Sequence, residues 1–424
     1  MVHVYSLLRS QNMRGNVAKL ITALFVLTAL ACAPPSYSGP DADGVLHLEF
    51  WNGFSGPDGA SMDKIVQQFN REHPKVQVHV QVIPWGTYYD KVTLGLAFGG
   101  APDVFVLHAQ RVPEYAVHHS LAPVDWFVSR YGPDPADFMP RQWQAGVVDG
   151  ARYALPLDCH PFGLWYNTRL FREAGIDHPP TTEAEFEADA RRLTDPSKKQ
   201  WGFVLTDLHM TGSTMFAQYG GGLMTPDLRS SSLDSPASLK AVDAMMRWVK
   251  DGRICPKPDP GGAWTEFQTG KAAMAMQGIW MFDSAEHQEG LEYAAAPVPQ
   301  FGPTRAVWAS SHCLCMPAKL PSERQEAAWT FIKYLSDHSL AWAKAGQVPV
   351  RKSILESPDF QALRVQREFA KQLPYVVYEP FSVSVNQTAG FADTAVESAV
   401  DGVEPPDEAL KKAAQRVNRV LALQ

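Results

Sequence analysis

The chain is short of cysteine, with five in 424 residues. None forms a Cys-x-x-Cys pair, and cysteine and histidine together make no zinc-like set, so no metal or cofactor is expected. Cys313 and Cys315 lie two apart in a strand-like run and point the same way, a poor geometry for bridging each other. Cys159, Cys255, Cys313 and Cys315 are expected as buried thiols. A basic block is also missing, and the net charge of −7 argues against nucleic acid as a partner. There is no internal repeat, and no low-complexity block outside residues 33–44. What is present is 45% hydrophobic and 20% charged, the balance of a soluble globular protein. A length of 424 residues favours two domains. Aromatics make up 11%, with 12 tryptophans, a supply that suits stacking on the flat apolar faces of a polar ligand as well as core packing.

Residues 20–31 are an apolar run of 12, too short to span as an ordinary membrane helix. Arg14 and Lys19 precede it, and Ala29-Leu30-Ala31 ends it before Cys32. Residues 1–31 are therefore expected to be a signal peptide. Cys32 resembles the lipidated cysteine of a bacterial lipobox, although Ala29 stands where leucine is usual; Ala-x-Ala cleavage without a lipid is the alternative. Residues 32–44 then form a tether rich in Pro, Ser, Gly and Asp. The expected location is the extracytoplasmic face of the membrane, or the periplasm.

The stretch from Leu46 to Pro74 sets the pattern for the rest. Leu46, Leu48 and Phe50 alternate with polar neighbours, which predicts a half-buried strand. Trp51-Asn52-Gly53 ends it, and turn formers follow to Gly59. Met62, Ile65, Val66 and Phe69 fall at helical spacing before Pro74. Val76 to Ile83 alternates again, Tyr88, Val92 and Leu96 mark a helical stripe, and Asp103 to Leu107 reads as a short strand. Strand–helix–strand–helix–strand implies a parallel sheet, with ligands expected at the strands' C-terminal ends. Further on, Gly202 to Leu205, Ala294 to Val298 and Ala306 to Met316 read as strands. Ser322 to Ser336, Ala392 to Val400 and Pro406 to Leu423 read as helices.

Several pieces, taken in order, resemble the extracellular solute-binding proteins of ABC importers, family 1, the maltose-binding-like group. They are Phe50-Trp51-Asn52-Gly53, Gly100-Ala-Pro-Asp-Val104, Tyr153-Ala-Leu-Pro156 and Leu164-Trp-Tyr166-Asn167. After these come Phe267-x-x-Gly270-Lys-Ala-Ala-Met, Gly278-x-Trp280, Ala327-Ala-Trp-x-Phe-Ile-Lys and Gly346-x-x-Pro349. Each is weak alone; their order over the mature chain is specific. The resemblance implies an α/β, two-lobed, periplasmic-binding-protein-like (type II) fold, with a hinge and an interlobe cleft. The first lobe would be 45–155 plus 309–345, and the second 156–308 plus 346–424.

The resemblance also implies site residues. Sugars need aromatic faces for stacking and planar polar groups for their hydroxyls. Asn52 and Tyr88 match ligand-contacting positions, with capping and helix packing as their alternatives. His108 follows a strand end where relatives place a polar contact. Asp158 lies at a lobe crossing, where it would accept two hydroxyls or make a hinge hydrogen bond, and His160 points the same way. Trp280 matches an aromatic that stacks on a sugar ring. Trp308 and Ser310 sit on the strand crossing back, and Gln347 on the third crossing. Arg351 is expected to hold the hinge. Asn386 completes the set. Relatives that bind glycerophosphodiesters carry an arginine near Ala389, so its absence favours a neutral or mildly cationic carbohydrate.

The function expected is a receptor that captures a mono- or oligosaccharide and hands it to ABC permease subunits, as a lipid-anchored monomer and not an enzyme. A glycan hydrolase using Asp158 is the rival, and would need a second carboxylate ~5–9 Å away. A glycerophosphodiester receptor and a chemosensory partner are further alternatives.

Overall fold

A computed structural model describes residues 37–250, 254–255 and 262–424 of the chain. The signal peptide and Cys32 lie outside the described residues. Among the described residues, no helix is long and apolar enough to cross a membrane.

The opening strand–helix alternation forms as its periodicity predicts. Strand β1 (Leu46–Asn52) buries Leu46, Leu48 and Phe50 and exposes His47 and Glu49. Helix α1 (Pro57–Glu72) starts with proline at its first position, where the missing N–H has no intrahelical role. It turns Met62, Ile65, Val66 and Phe69 into the core. Strand β2 (Val76–Val82) pairs parallel to β1 over its whole length. Helix α2 (Trp85–Phe98) then leads to β3 (Val104–His108), parallel to β1 on the other side.

Two sheets organise the rest. β4 (Leu155–Pro156) is followed after one residue by β5 (Asp158–Asn167). A proline within a strand-like run commonly marks an edge or a break. The chain instead runs on as one ten-residue strand through Pro161. Helix α3 (Leu208–Tyr219), β6 (Met274–Gly278), β7 (Tyr293–Ala296), β8 (Val307–Ser310) and β9 (His312–Cys315) come next. After them lie helices α4 (Ser322–Asp337) and α5 (Ser339–Ala343), β10 (Val348–Pro349), β11 (Val376–Val377), and helices α6 (Val385–Val400) and α7 (Pro406–Leu421).

The first sheet has the order β2-β1-β3-β9-β4. The second has β10-β5-β8-β11, with β6 and β7 pairing along the rest of β5. The run Ala306–Met316, which has the pattern of one strand, is thus two strands in different sheets, with Ser311 as the step between them. The chain passes between sheets at Leu157, at Ser311 and again before Val348. Gly202 to Leu205, expected as a strand, makes only isolated bridges from Trp201 to Ala272 and from Val204 to Ala275. α6 begins seven residues earlier than its apolar stripe suggests, which puts Asn386 on its first turn.

A buried ion pair ties α4 to the first sheet. The Arg324 guanidinium donates to both carboxylate oxygens of Asp103 at 2.6 and 2.7 Å, and to the carbonyls of Ser38 and His47 at 2.6 Å. Asp103 also accepts the Glu49 backbone N–H at 2.8 Å. Both residues are nearly fully buried. Removing one partner strands the other charge, so Arg324→Ala should lower stability by about 3–5 kcal/mol in denaturant unfolding. A loss below about 1 kcal/mol, the level of a surface pair, would contradict this.

Candidate functional site

The C-terminal ends of β1 and β3 face the place where the chain crosses between sheets. Asn52 ends β1, is fully buried, and accepts the Phe54 N–H through Oδ1 at 3.0 Å. Its Nδ2 has no partner among the described residues. A buried donor without a partner costs free energy, and such atoms occur where a ligand or water supplies the missing bond. Gln347 is in the same state, buried with Oε1 unpartnered.

Tyr88 corrects the sequence expectation. It is fully buried, donates its hydroxyl proton to the Trp51 carbonyl at 3.0 Å and accepts the Val106 N–H at 3.0 Å. It therefore staples β1 to β3 inside the first-lobe core. One residue on, a rotation of about 100° turns Tyr89 toward His108 instead. The Tyr89 hydroxyl meets His108 Nδ1 and accepts the His108 N–H at 3.3 Å. Trp85, one turn earlier, packs at 4.5 Å from the His108 ring. Its indole lies over Gly53, where an added Cβ would come within 2.2 Å of the ring.

At the crossing, Asp158 is fully buried. Its carboxylate accepts from His312 Nδ1 at 2.7 Å, the His312 N–H at 3.0 Å, Trp342 Nε1 at 2.6 Å and His160 Nδ1 at 3.3 Å. Four donors fill the roughly four acceptor positions of a carboxylate. Burial opposes its charge, but the His312 imidazole and the hydrogen bonds from His160 and His312 hold the carboxyl well below the usual range. Asp158 is therefore an ionised anchor of the hinge, with no acceptor left for sugar hydroxyls. Nor is it placed to serve as a hydrolase acid, which needs a raised pKa. Cys159, between Asp158 and His160, points the other way toward Tyr378 and Gln142, as strand alternation requires.

Three imidazoles gather beside this carboxylate. His160 and His312 have ring centroids 4.3 Å apart, and His108 lies 5.5 and 5.1 Å from them. Burial, then the neighbouring histidines, hold His108 well below its ordinary value and His160 down at about 4. His312 is not among the residues that the sequence singles out. Its signal is parity: it lies two positions from Ser310 in a strand-like run, hence on the same side.

Trp280 stands next to His160 at 5.9 Å, and edge-on to Trp308 at 6.2 Å. It is half-buried and caps Gly278, where a Cβ would lie 2.0 Å from its ring. Trp308 is almost fully buried, and donates Nε1 to Glu379 at 3.4 Å. Ser310 donates to Gln110 Oε1 at 2.7 Å. With its amide oxygen facing Arg111, Asn386 accepts from Nη1 at 2.7 Å and Nε at 3.2 Å. The first contact joins the stretch after β3 to β8 of the second sheet, and the second joins it to α6. Arg351 binds Asp137 at 2.5 Å and Asp337 at 2.9 Å, the structural role expected of it.

Beside Trp308 is a cavity of about 230 Å³, lined in part by His209, Tyr378, Glu379, Ala389 and Asp393. His209 donates to Asp393 at 2.7 Å through Nδ1, and to Glu379 through Nε2. Burial works against its charge, but the two carboxylates push it up to about 11.

Two α/β lobes crossed three times by the chain, with aromatic walls and buried polar groups between them, define a two-lobed ligand-binding protein. The family model described as bacterial extracellular solute-binding protein matches residues 53–340, and the chain belongs to that family. It is a family of binding proteins rather than enzymes. Among curated relatives, the galactooligosaccharide-binding protein of Bacillus subtilis is 22% identical over 419 residues, covering 93% of this chain and 94% of the relative. Among solved structures, an ABC substrate-binding protein from Listeria monocytogenes in complex with cycloalternan is 24% identical with a TM-score of 0.77, covering 89% of this chain and 99% of that one. UgpB from Mycobacterium tuberculosis in complex with glycerophosphocholine is 21% identical with a TM-score of 0.78, covering 91% and 98%.

The charged His209 titrates near 11 in the fold, against 6.5 for an ordinary histidine. Its contribution to stability is complete below about pH 6.5 and disappears as pH rises toward 11. His209→Gln should therefore lower the melting temperature more at pH 6 than at pH 10. An equal drop at both values would remove the charged bridge between α3, Glu379 and α6.

Proposed function

We propose that this chain is the solute receptor of an ABC importer, closing its two lobes on a carbohydrate and presenting it to the membrane permease. The observation that carries this reading is the half-buried Trp280 beside His160 and Trp308; Asn52 Nδ2 and Gln347 Oε1, buried and without partners among the described residues, add to it. An indole face offers stacking for a pyranose, and buried amides offer directed hydrogen bonds to hydroxyls. The lobes of this reading are 45–155 plus 309–345 and 156–308 plus 346–424. His108, His160, Trp308, Ser310 and Asn386 contribute the remaining contacts. Ligand favours closure by binding the closed form more tightly. The receptor acts as a monomer, held to the membrane by a lipid on Cys32. Several relatives bear sugar-binding names or carry sugars in their structures, which supports the class of solute.

Calorimetry against neutral mono- and oligosaccharides, with glycerophosphocholine beside them, tests the reading. A neutral saccharide should bind saturably without turnover, and Trp280→Ala should cost ~1–3 kcal/mol of that affinity with an unchanged melting curve. Unchanged affinity in the variant would move the pocket elsewhere, and binding of glycerophosphocholine alone would replace the sugar by a phosphodiester. For the anchor, Cys32→Ser should release the protein from the membrane fraction into the medium; wild-type protein already free in the medium would rule the lipid out.

A further inference from the structure

The three imidazoles at the crossing hold more than a sugar contact requires. One ring nitrogen each from His108, His160 and His312 lies within 4.8 Å of the other two. The backbone explains why they meet. His312 on β9 sits directly opposite His108 on β3, and His160 on β5 sits opposite Ser310, two residues before His312. Directly opposed residues of an antiparallel pair bring their Cβ atoms to about 5 Å.

The hydrogen bonds fix which nitrogens remain available. The Asp158 carboxylate oxygens face Nδ1 of His160 and of His312 at 3.3 and 2.7 Å, so a proton on each Nδ1 makes both bonds. In a neutral imidazole that leaves Nε2 as a lone pair. His108 meets the Tyr89 hydroxyl through Nδ1, and with its proton there its Nε2 is free as well. A carboxylate or hydroxyl behind the far nitrogen is the arrangement that orients metal-binding histidines and raises their basicity. Here one buried carboxylate serves two imidazoles, and a tyrosine serves the third.

We propose that His108, His160 and His312 form a tris-imidazole site for a divalent transition-metal ion of the zinc class, at the floor of the cleft. Three neutral nitrogen donors suit Zn²⁺ and exclude Mg²⁺ and Ca²⁺, which take oxygen. Three protein ligands leave the fourth tetrahedral position open to water or to an oxygen of the bound solute. Metal–nitrogen bonds of about 2.05 Å set neighbouring nitrogens roughly 3.4 Å apart, so the cluster contracts by about 1.4 Å or less on binding. Small rotations of the three rings cover that distance. The inference is independent of the solute proposed above, because its test uses the metal alone.

The test is isothermal calorimetry of Zn²⁺ into full-length protein without a polyhistidine tag, paired with the visible spectrum of the Co²⁺ form. One ion per chain with micromolar or tighter affinity is expected, together with intense tetrahedral cobalt bands. His108→Gln, at the most exposed of the three positions, should weaken zinc binding by about 100-fold, while its circular dichroism and melting curve report folding. X-ray absorption of the zinc-loaded wild type should count three imidazoles, which keeps the inference testable if a variant does not fold. No zinc uptake, an octahedral cobalt spectrum, fewer than three imidazoles, or equal zinc affinity in a folded His108→Gln would each overturn it.

Discussion

A single buried carboxylate holds the hinge together. Asp158 begins β5, takes hydrogen bonds from His312 on β9, Trp342 on α5 and its strand neighbour His160, and lies opposite Pro349 on β10. An ionised carboxylate in a dry interior is tolerated only when its acceptor positions are filled. The filling is supplied largely by residues more than 150 positions away, so the charge forces three stretches of chain into one place. The Ser311 hydroxyl adds a bond to the Asp158 carbonyl at the step between the two sheets. The crossings are thereby fixed in position, and the two sheets meet along a common edge.

From that edge the cleft follows. The first sheet delivers Asn52 and His108 at the ends of parallel strands, and α2 turns Trp85 and Tyr89 over them. The second sheet delivers Trp280 just after β6 and Trp308 on β8. Ser310 with Gln110, and Arg111 with Asn386, bond across from one side to the other. The result sets the indoles of Trp85, Trp280 and Trp308 against the imidazoles of His108, His160 and His312. The stacking surface and the buried amides suit a solute with apolar CH faces and many hydroxyls. The cavity between α3 and α6 is a different environment, dominated by the charged trio of His209, Glu379 and Asp393.

Much of this is legible in the residues. The alternation of Leu46, Leu48 and Phe50, and the helical spacing of Met62 to Phe69, are enough to put Asn52 at a strand end. Strand parity places His160 on the side of Asp158 and turns Cys159 away. Other features are not legible, for physical reasons. Tyr88 and Tyr89 are neighbours on a helix, and only the direction of the helix relative to β1 and β3 decides which one is buried. Asp158 reads equally as a sugar acceptor or a hinge hydrogen-bonding group until its donors, distant in sequence, are in place. His108, His160 and His312 are spread over some 200 residues, so no local spacing announces the cluster. The run Ala306–Met316 has one strand-like pattern but serves two sheets, because the polar step Ser310-Ser311-His312 is short and buried between apolar residues on both sides. The first seven residues of α6 mix polar Asn386, Gln387 and Thr388 and Gly390 with the stripe of Val385 and Ala389, which obscures the pattern and leaves Asn386 outside the helix read from Ala392.

The central claim is that the two halves close on a polyhydroxylated solute whose ring lies on the Trp280 indole. A crystal structure of the protein with a bound neutral saccharide tests it most directly. The expected result is a sugar ring within van der Waals contact of Trp280, between the two sheets, with a hydroxyl accepting from Asn52 Nδ2. A saccharide seated away from the crossing, with the Trp280 face uncovered and Asn52 still without a partner, would contradict it.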